Sequence, residues 1–380
     1  MKQLSYRLRF NTPAFLGNAE QNAQWRTPPF KALLRQWWRV VKAKEYGYNH
    51  AAIRQHEGDL FGNAWLTGEN GGSLHRKSRI AIRLTPWETG SLRTENWAGG
   101  SIESVTTTHD GKGRVRADVY LGFGPVLPPS KKENRPSITI RGAIGTDEES
   151  KLELLPERMP RLKPSDQNMK DVCDAIQLMA WFGTLGSRSR NGWGSVAFSA
   201  ERDTPTVSPL PDMADALLTR IGRDWSRCLE LDWPHAIGFL GDKPLIWVSD
   251  PYPDWRKAMG CLAYIRVDVR NVAKSFTGPD HIGGIHLLGY PAGDKWALPE
   301  LSKGENQEGR LATQLRFKVV QTAEGLVGMV FHMPHRFPDE LLNRLKRNQQ
   351  AWIRQHEREV WVAIHKALNQ NSRIVPLGGK

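Results

Sequence analysis

Three observations predict an α+β protein of two ferredoxin-like (βαββαβ) domains with long inserted loops, the second degenerate. Residues 1–200 read as strand, helix, strand, strand, helix, strand. A stretch rich in Pro, Ser and Thr, ERDTPTVSPLP at 201–211, then interrupts the pattern, and an α+β half follows it. The expected boundaries are 1–200, a linker at 201–211, and 212–380, in a chain of 380 residues long enough for two cores.

The first strand is set by Tyr6, Leu8 and Phe10 alternating with Ser5, Arg7 and Arg9. A loop from Asn11 to Trp25 follows, and Thr27, Pro28 and Pro29 supply a cap and a helix-starting proline. In the helix beyond, Phe30, Leu33, Leu34, Trp37 and Val41 share one arc, while Lys31, Arg35, Trp38, Arg39 and Lys42 share another. Trp37 is expected in the core. Trp38, among four cations, is placed either to stack on a base or a neighbouring subunit, or to lie half-covered by its own arginines. HRKSRIAIRL forms a strand with Ile80, Ile82 and Leu84 on one face and Arg79, Ala81 and Arg83 on the other, and a weaker strand is expected at Val115 to Phe123.

Polar tracts at 65–74, 92–113 and 128–150 exceed ordinary connections and are expected to be mobile or ordered by a partner. Val172, Ile176, Met179 and Ala180 mark a second helix over 168–182, and a strand returns from Trp193 to Phe198. The open face of such a sheet is the surface that RNA-binding domains of this topology use. In the second half, the pattern predicts a helix over 214–231, a hairpin over 310–333 turning at 323–325, and a helix over 338–368. Leu341, Leu345, Trp352, Val360 and Ile364 of that last helix face the core, and Arg344, Arg347, Arg354 and Arg358 form a solvated face.

Charge points to a polyanionic partner. The formal net charge is +13, and residues 1–200 hold 29 Lys and Arg against 19 Asp and Glu. Cys173, Cys228 and Cys261 are too scattered for a disulfide framework or a zinc site and imply a reducing compartment. No signal-peptide core and no run of ~18 apolar residues occurs, so a cytoplasmic protein is expected.

The segment from Phe182 to Val196, FGTLGSRSRNGWGSV, carries the strongest functional signal. Gly183, Gly186, Gly192 and Gly194 permit positive φ and close backbone approach, Arg188 and Arg190 offer planar forks, and Ser187, Ser189 and Asn191 add small donors. Together they read as a cradle for a polyanion. It is not a nucleoside-triphosphate loop, which needs Lys then Ser or Thr after the last glycine, whereas Ser195 and Val196 follow Gly194.

Three motifs in order, NTPAFLGNAEQNAQWRTPPFKALLRQWWR, DLFGNAW with KSRIAIRL, and FGTLGSRSRNGWGS, resemble the RAMP superfamily of CRISPR proteins, most of all the family of first subunits of the type III-B Cmr effector complex. The resemblance covers about the first 200 residues; beyond them only RLATQLRFKVVQ and its hairpin share it. It implies two ferredoxin-like units in a non-catalytic terminal subunit that holds the 3′ part of crRNA and helps capture target RNA, beside other Cmr and RAMP subunits and with no cofactor. The family's basic helix falls on Lys31, Arg35 and Arg39 with Trp37 and Trp38, and its glycine loop on Gly186, Ser187, Arg188, Ser189, Arg190, Gly192 and Gly194. Arg26 before that helix, Arg79 on the basic strand and Asn191 complete the expected RNA-facing set. A glycine common in the family's first helix is Ala32 here, and Thr313 and Gln314 stand where its second-half motif runs into Ser-Pro.

The rival class is a metal-independent RAMP endoribonuclease that cuts CRISPR repeat RNA. His50, His56 and His109 lie in segments read as loops, with no partner base fixed beside any of them, and general acid–base work needs a positioned pair. Target-cutting relatives use an acid near the first loop, where this chain has only Glu20. Pro334 between His332 and His335 argues against a helical ligand pair, His281 and His286 lack a third ligand at suitable spacing, and no G-x-S-x-G follows a strand.

Overall fold

The computed structural model describes residues 3–20, 22–64, 75–97, 102–106, 113–159, 161–201, 203–293, 296–302 and 309–379. The expected tract at 65–74, part of that at 92–113, and His109 lie outside them. The chain divides into two compact units that are not contiguous in sequence. The first comprises Met1–Gly100, Leu121–Ile221 and Lys318–Leu326, and the second Ser101–Tyr120, Gly222–Phe317 and Val327–Lys380. The stretch expected as a linker lies within the first unit, where Trp181 Nε1 donates to Ser208 Oγ at 3.0 Å.

The first unit contains β1 (Leu4–Phe10), α1 (Thr27–Ala43), α2 (His50–Phe61), β2 (Ile80–Thr85), β3 (Glu149–Pro156), α3 (Asp166–Phe182) and β4 (Val196–Ala200). Its sheet has the order β2-β3-β1-β4 with every pair antiparallel; its third strand is Glu149–Pro156, not the expected Val115 to Phe123. Tyr6, Leu8 and Phe10 point inward with Leu152, Leu154, Ile80, Leu84 and Val196, and all are buried. Pro at the first turn starts α1, and a Ser165–Asn168 capping box starts α3. Lys42 of α1 reaches Asp171 of α3 at 2.9 Å and also pairs with Glu45. The weave of residues 11–25 with 88–92 and 143–144, through bonds such as Ala14 N to Ile144 O at 3.0 Å and Trp25 N to Glu88 O at 2.9 Å, orders part of the tract at 128–150.

Further along the chain come β5 (Ile246–Ser249), α4 (Trp255–Lys274), β6 (Leu315–Gln321), β7 (Leu326–His332), α5 (Arg347–Asn369) and β8 (Ile374–Pro376), whose strands form a sheet of order β6-β7-β5-β8; all lie in the second unit except Lys318–Leu326. Numbered along each sheet, both orders are 2-3-1-4, so the α+β connectivity is repeated. A three-stranded sheet of Gly222–Asp224, Ile237–Leu240 and Lys243–Pro244 precedes the second copy.

Several expected elements differ. The helix read over 214–231 breaks into Ala216–Ile221 and Trp225–Cys228, because Gly222 packs where a Cβ would meet the Phe239 ring and Asp224 caps Ser226 N and Arg227 N. The strand expected at Val115 to Phe123 is a short strand, Arg114–Arg116, followed by a helical turn, Ala117–Gly122; Asp118 Oδ1 accepts from Val119 N at 2.8 Å and pairs with Arg116, which favours a turn over an extended chain. The last helix is split into Asp339–Leu342 and α5, since Lys346 is extended and its N–H bonds to Gln349 Oε1. The hairpin turns where expected, with Thr322 N donating to Gly325 O at 2.8 Å.

Burial raises the pKa of Glu357 on α5 to about 7, although its carboxylate accepts from Phe337 N. A carboxyl whose folded pKa exceeds its unfolded one holds its proton longer when folded, so this stabilising contribution is complete below about pH 4.5 and is lost as pH rises towards 7. Buried His235 and His365, lowered to about 4, act in the opposite sense. Denaturant titrations of the wild type and Glu357→Gln at several pH values should therefore diverge between pH 4.5 and 7, the variant gaining by about 2 kcal/mol relative to its difference at pH 4.5. A constant difference across that range would contradict the assignment.

Candidate nucleic-acid interface

The outward face of the first sheet carries Arg7, Arg9, Arg83 and Lys151, but also Glu149 and Glu153. Arg7 lies 3.5 Å from Glu149, Lys151 3.2 Å from Glu153 and Arg83 3.8 Å from the same carboxylate. The other outward residues, among them Ser5, Ala81, Ala197 and Ser199, include no aromatic ring. A sheet face without stacking rings, with two carboxylates set among its four cations, is a poor platform for stacking unpaired bases. The face thus offers cations but no stacking ring.

The basic face of α1 is also turned inward. Trp38 is 2 % exposed and meets Phe61 edge to face at 5.8 Å, which corrects its reading as a stacking residue: α2 covers that side of α1. Arg35 Nε and Arg39 Nη1 both bind Glu57 of α2, whose side chain is 1 % exposed, Arg39 at 2.9 Å. Two guanidiniums thus share one buried carboxylate, which holds α2 on α1 and draws both forks away from a ligand. The sequence gives little sign of this, because α2 has one narrow apolar stripe and Gly58 within it. His50 and His56, read as loop residues, lie on α2, where the His56 ring lies tilted against Tyr46 with centroids 4.6 Å apart. Lys31 is half-buried, and burial with the nearby Arg35 charge lowers its pKa. Arg26 Nη2 donates to Gly17 O at 2.6 Å, and Arg79 is half-buried at the start of β2.

The glycine loop is a tied hairpin. Leu185 N donates to Gly194 O at 2.9 Å, Val196 N to Gly183 O at 3.1 Å, Ser187 N to Phe15 O and Gly194 N to Pro13 O, both at 3.0 Å. Gly186 and Gly194 have φ of +94° and +62°, and a Cβ on either would lie within 2.7 Å of the carbonyl of Phe15 or Leu185. Their freedom is used to press the loop against the chain, so the amides of Ser187 and Gly194 are spent on protein carbonyls. Gly192 and Gly194 are buried, as is Asn191, whose Nδ2 donates to Leu121 O at 2.8 Å. These three are corrected from contact residues to framework.

What remains outward is the tip, Ser187 to Arg190. Arg188 has φ +57° and is exposed, and its Nε donates to Phe123 O at 2.7 Å. Phe123 is 57 % exposed and stands beside it, a ring missed in the sequence because 115–123 reads there as a strand. Arg190 is half-buried and makes no hydrogen bond or ion pair among the described residues, and burial alone lowers its pKa. A desolvated guanidinium without a counter-charge is costly, and an anion brought to the tip relieves that cost. Fork, fork and ring within one tip can take a phosphodiester and stack a base.

No family model matches the chain, and no curated protein matches it. Solved structures do. The chain is similar to Cmr1 from Pyrococcus furiosus in its apo form, at 16 % identity and a TM-score of 0.46 over 94 % of this chain and 97 % of that one. It is also similar to a chain of the Type III-B Cmr-beta bound to cognate target RNA and AMPPnP in the presence of ssDNA, at 14 % identity and a TM-score of 0.48 over 97 % and 98 %. A chain of Cmr-beta bound to cognate target RNA gives 11 % identity and a TM-score of 0.45 over 96 % and 100 %. These are structures of the group that the three sequence motifs resemble. Function is argued from the residues.

Among the described residues no group of three or more His, Cys, Asp or Glu is placed to hold a metal, and no helix is long and apolar enough to cross a membrane. His332 Nδ1 meets His365 Nε2 at 2.9 Å in the interior of the second unit, a pairing that the spacing of His332 and His335 did not suggest. Glu20 is exposed, and its N–H bonds to Asn18 Oδ1.

Trp38→Ala should cost about 3 kcal/mol in equilibrium unfolding through the cavity it leaves. Glu57→Ala should cost about 2 kcal/mol, since its two arginines are partly solvated. Either variant, assayed under conditions where it is folded, should bind RNA within about twofold of the wild type, a change of ~0.5 kcal/mol or less. A folded Trp38→Ala protein with RNA affinity more than tenfold down would restore Trp38 as a contact.

Proposed function

We propose that this protein is a non-catalytic RNA-binding subunit of a type III-B CRISPR (Cmr) ribonucleoprotein effector, which holds the 3′ part of crRNA and helps capture target RNA in antiviral defence beside other RAMP subunits in the cytoplasm. The observation that carries the RNA-binding reading is Arg190, a half-buried guanidinium with no counter-charge among the described residues, on a tip shared with exposed Arg188 and Phe123. The three ordered motifs support the assignment to the effector, and the repeated 2-3-1-4 strand order supports two ferredoxin-like domains.

Phosphate contacts without base-edge donors give affinity with little sequence preference. Arg188→Ala with Arg190→Ala should weaken binding of a single-stranded RNA by about 2 kcal/mol and reduce the salt slope by about 1.4, as two phosphate contacts disappear. Phe123→Ala should cost about 1.5 kcal/mol by loss of stacking and leave the slope unchanged. Fluorescence anisotropy at several salt concentrations reads both quantities. An unaltered slope in the double arginine variant would remove the tip from the interface. Incubation with labelled repeat and target RNA, with and without divalent metal, should leave both intact, and cleavage lost on His50→Ala, His56→Ala, His109→Ala or Glu20→Ala would favour the endoribonuclease instead.

A further inference from the structure

The second unit holds a cavity of about 430 Å³ that the sequence does not announce. Arg354 and Arg358, one turn apart on α5 and expected to form a solvated face, line it together with Arg227 of the short helix Trp225–Cys228 and Arg336 beyond β7. Phe337 and Ile353 supply apolar wall. The size falls within the range of small-ligand sites, roughly 300–1,000 Å³.

The charges inside do not cancel. Arg336 Nη2 is taken by Asp339 at 2.6 Å, although its Nε is buried and unbonded, and Glu230 is taken by Arg223 at 2.6 Å. Arg227, Arg354 and Arg358 make no ion pair among the described residues; Arg358 lies over the Trp225 ring at 5.9 Å. Facing these three is the buried carboxyl of Glu357, which accepts from Phe337 N. The excess of about two positive charges is what a phosphate monoester supplies, with a charge of roughly −1.5 to −2 at neutral pH and three acceptor oxygens for planar forks. A single carboxylate side chain brings half of that charge, and the apolar wall suits a nucleoside rather than inorganic phosphate alone. We propose that this cavity binds a nucleoside phosphomonoester, free or as the phosphorylated end of an RNA strand. The site goes beyond the RNA tip of the first unit and does not depend on it.

The test is calorimetric titration of the full chain with 5′-AMP, adenosine, a pentaglutamate peptide, and RNA hexanucleotides ending in phosphate or hydroxyl at either end. AMP or a phosphate-ended hexanucleotide should bind about tenfold or more tighter than its unphosphorylated counterpart, and whichever of the two binds tighter identifies the source. Arg354→Gln with Arg358→Gln should lose that preference with an unchanged melting temperature, since both side chains are exposed. Glu357→Gln should bind at least as tightly as the wild type. Arg188→Ala with Arg190→Ala should keep full AMP affinity, which separates failure here from failure of the RNA-binding tip. Equal binding of phosphorylated and unphosphorylated ligands, an undiminished preference in the double glutamine variant, or binding of pentaglutamate alone would overturn the proposal.

Discussion

Two buried hydroxyls hold the loop that the functional reading depends on. Thr12 Oγ1 donates to Gly192 O at 2.7 Å and accepts from Ser195 N at 3.0 Å, while Ser195 Oγ donates to the same Gly192 carbonyl at 2.8 Å and accepts from Val319 N at 2.9 Å. Asn11 completes the knot through Val319 O. Each hydroxyl acts as donor and acceptor at once, so a site with almost no exposure leaves neither oxygen unsatisfied. The knot fixes where the first strand ends and where the glycine loop returns into β4, beyond the tip at Ser187 to Arg190. Lys318 adds to it by donating to the Met179 and Ala180 carbonyls at the end of α3, a fully buried amine whose pKa burial pushes well down, set where the helix dipole is negative.

This arrangement changes the meaning of the glycines. A glycine-rich run with arginines reads in sequence as backbone amides offered to phosphates. Here the glycines let the loop press against residues 12–15, and what faces outward is two side-chain forks and an adjacent ring, to which we assign the proposed polyanion contacts. Positive electrostatics in the first unit are correspondingly local. Arg35, Arg39 and Lys42 are bound to Glu57 and Asp171, and on the outward sheet face Arg7, Arg83 and Lys151 lie beside Glu149 or Glu153, so net charge overstates the area open to a nucleic acid.

Periodicity made much of the fold legible. Alternation in β1 and β2 and the apolar arc of α1 and α3 placed those four elements, since each buries one face against one partner layer, whereas β3 was missed because it begins inside a polar tract. The site was legible only in part. Arg188 and Arg190 lie at the tip of the glycine loop, whereas Trp38 could not be assigned because a helix surface facing a second helix looks, in sequence, like one facing solvent. The stripe of α2 is made partly of Glu57, a residue that is buried only because two arginines from α1 meet it. Phe123 was hidden for a related reason: a short apolar run is equally compatible with a strand or a helical turn, and Asp118 decides between them through bonds that no periodicity reports. Arg354 and Arg358 form a lone basic stripe until Arg227 and Arg336, more than a hundred residues apart, close the cavity around them.

The most direct measurement of the central claim is site-specific photocrosslinking of a 4-thiouridine-containing RNA to the purified protein, read by mass spectrometry of the joined peptides. The account predicts crosslinks concentrated on Phe123 and on the segment from Ser187 to Arg190. Crosslinks concentrated instead on the outward face of the first sheet, at Arg7, Arg9 or Lys151, would contradict it.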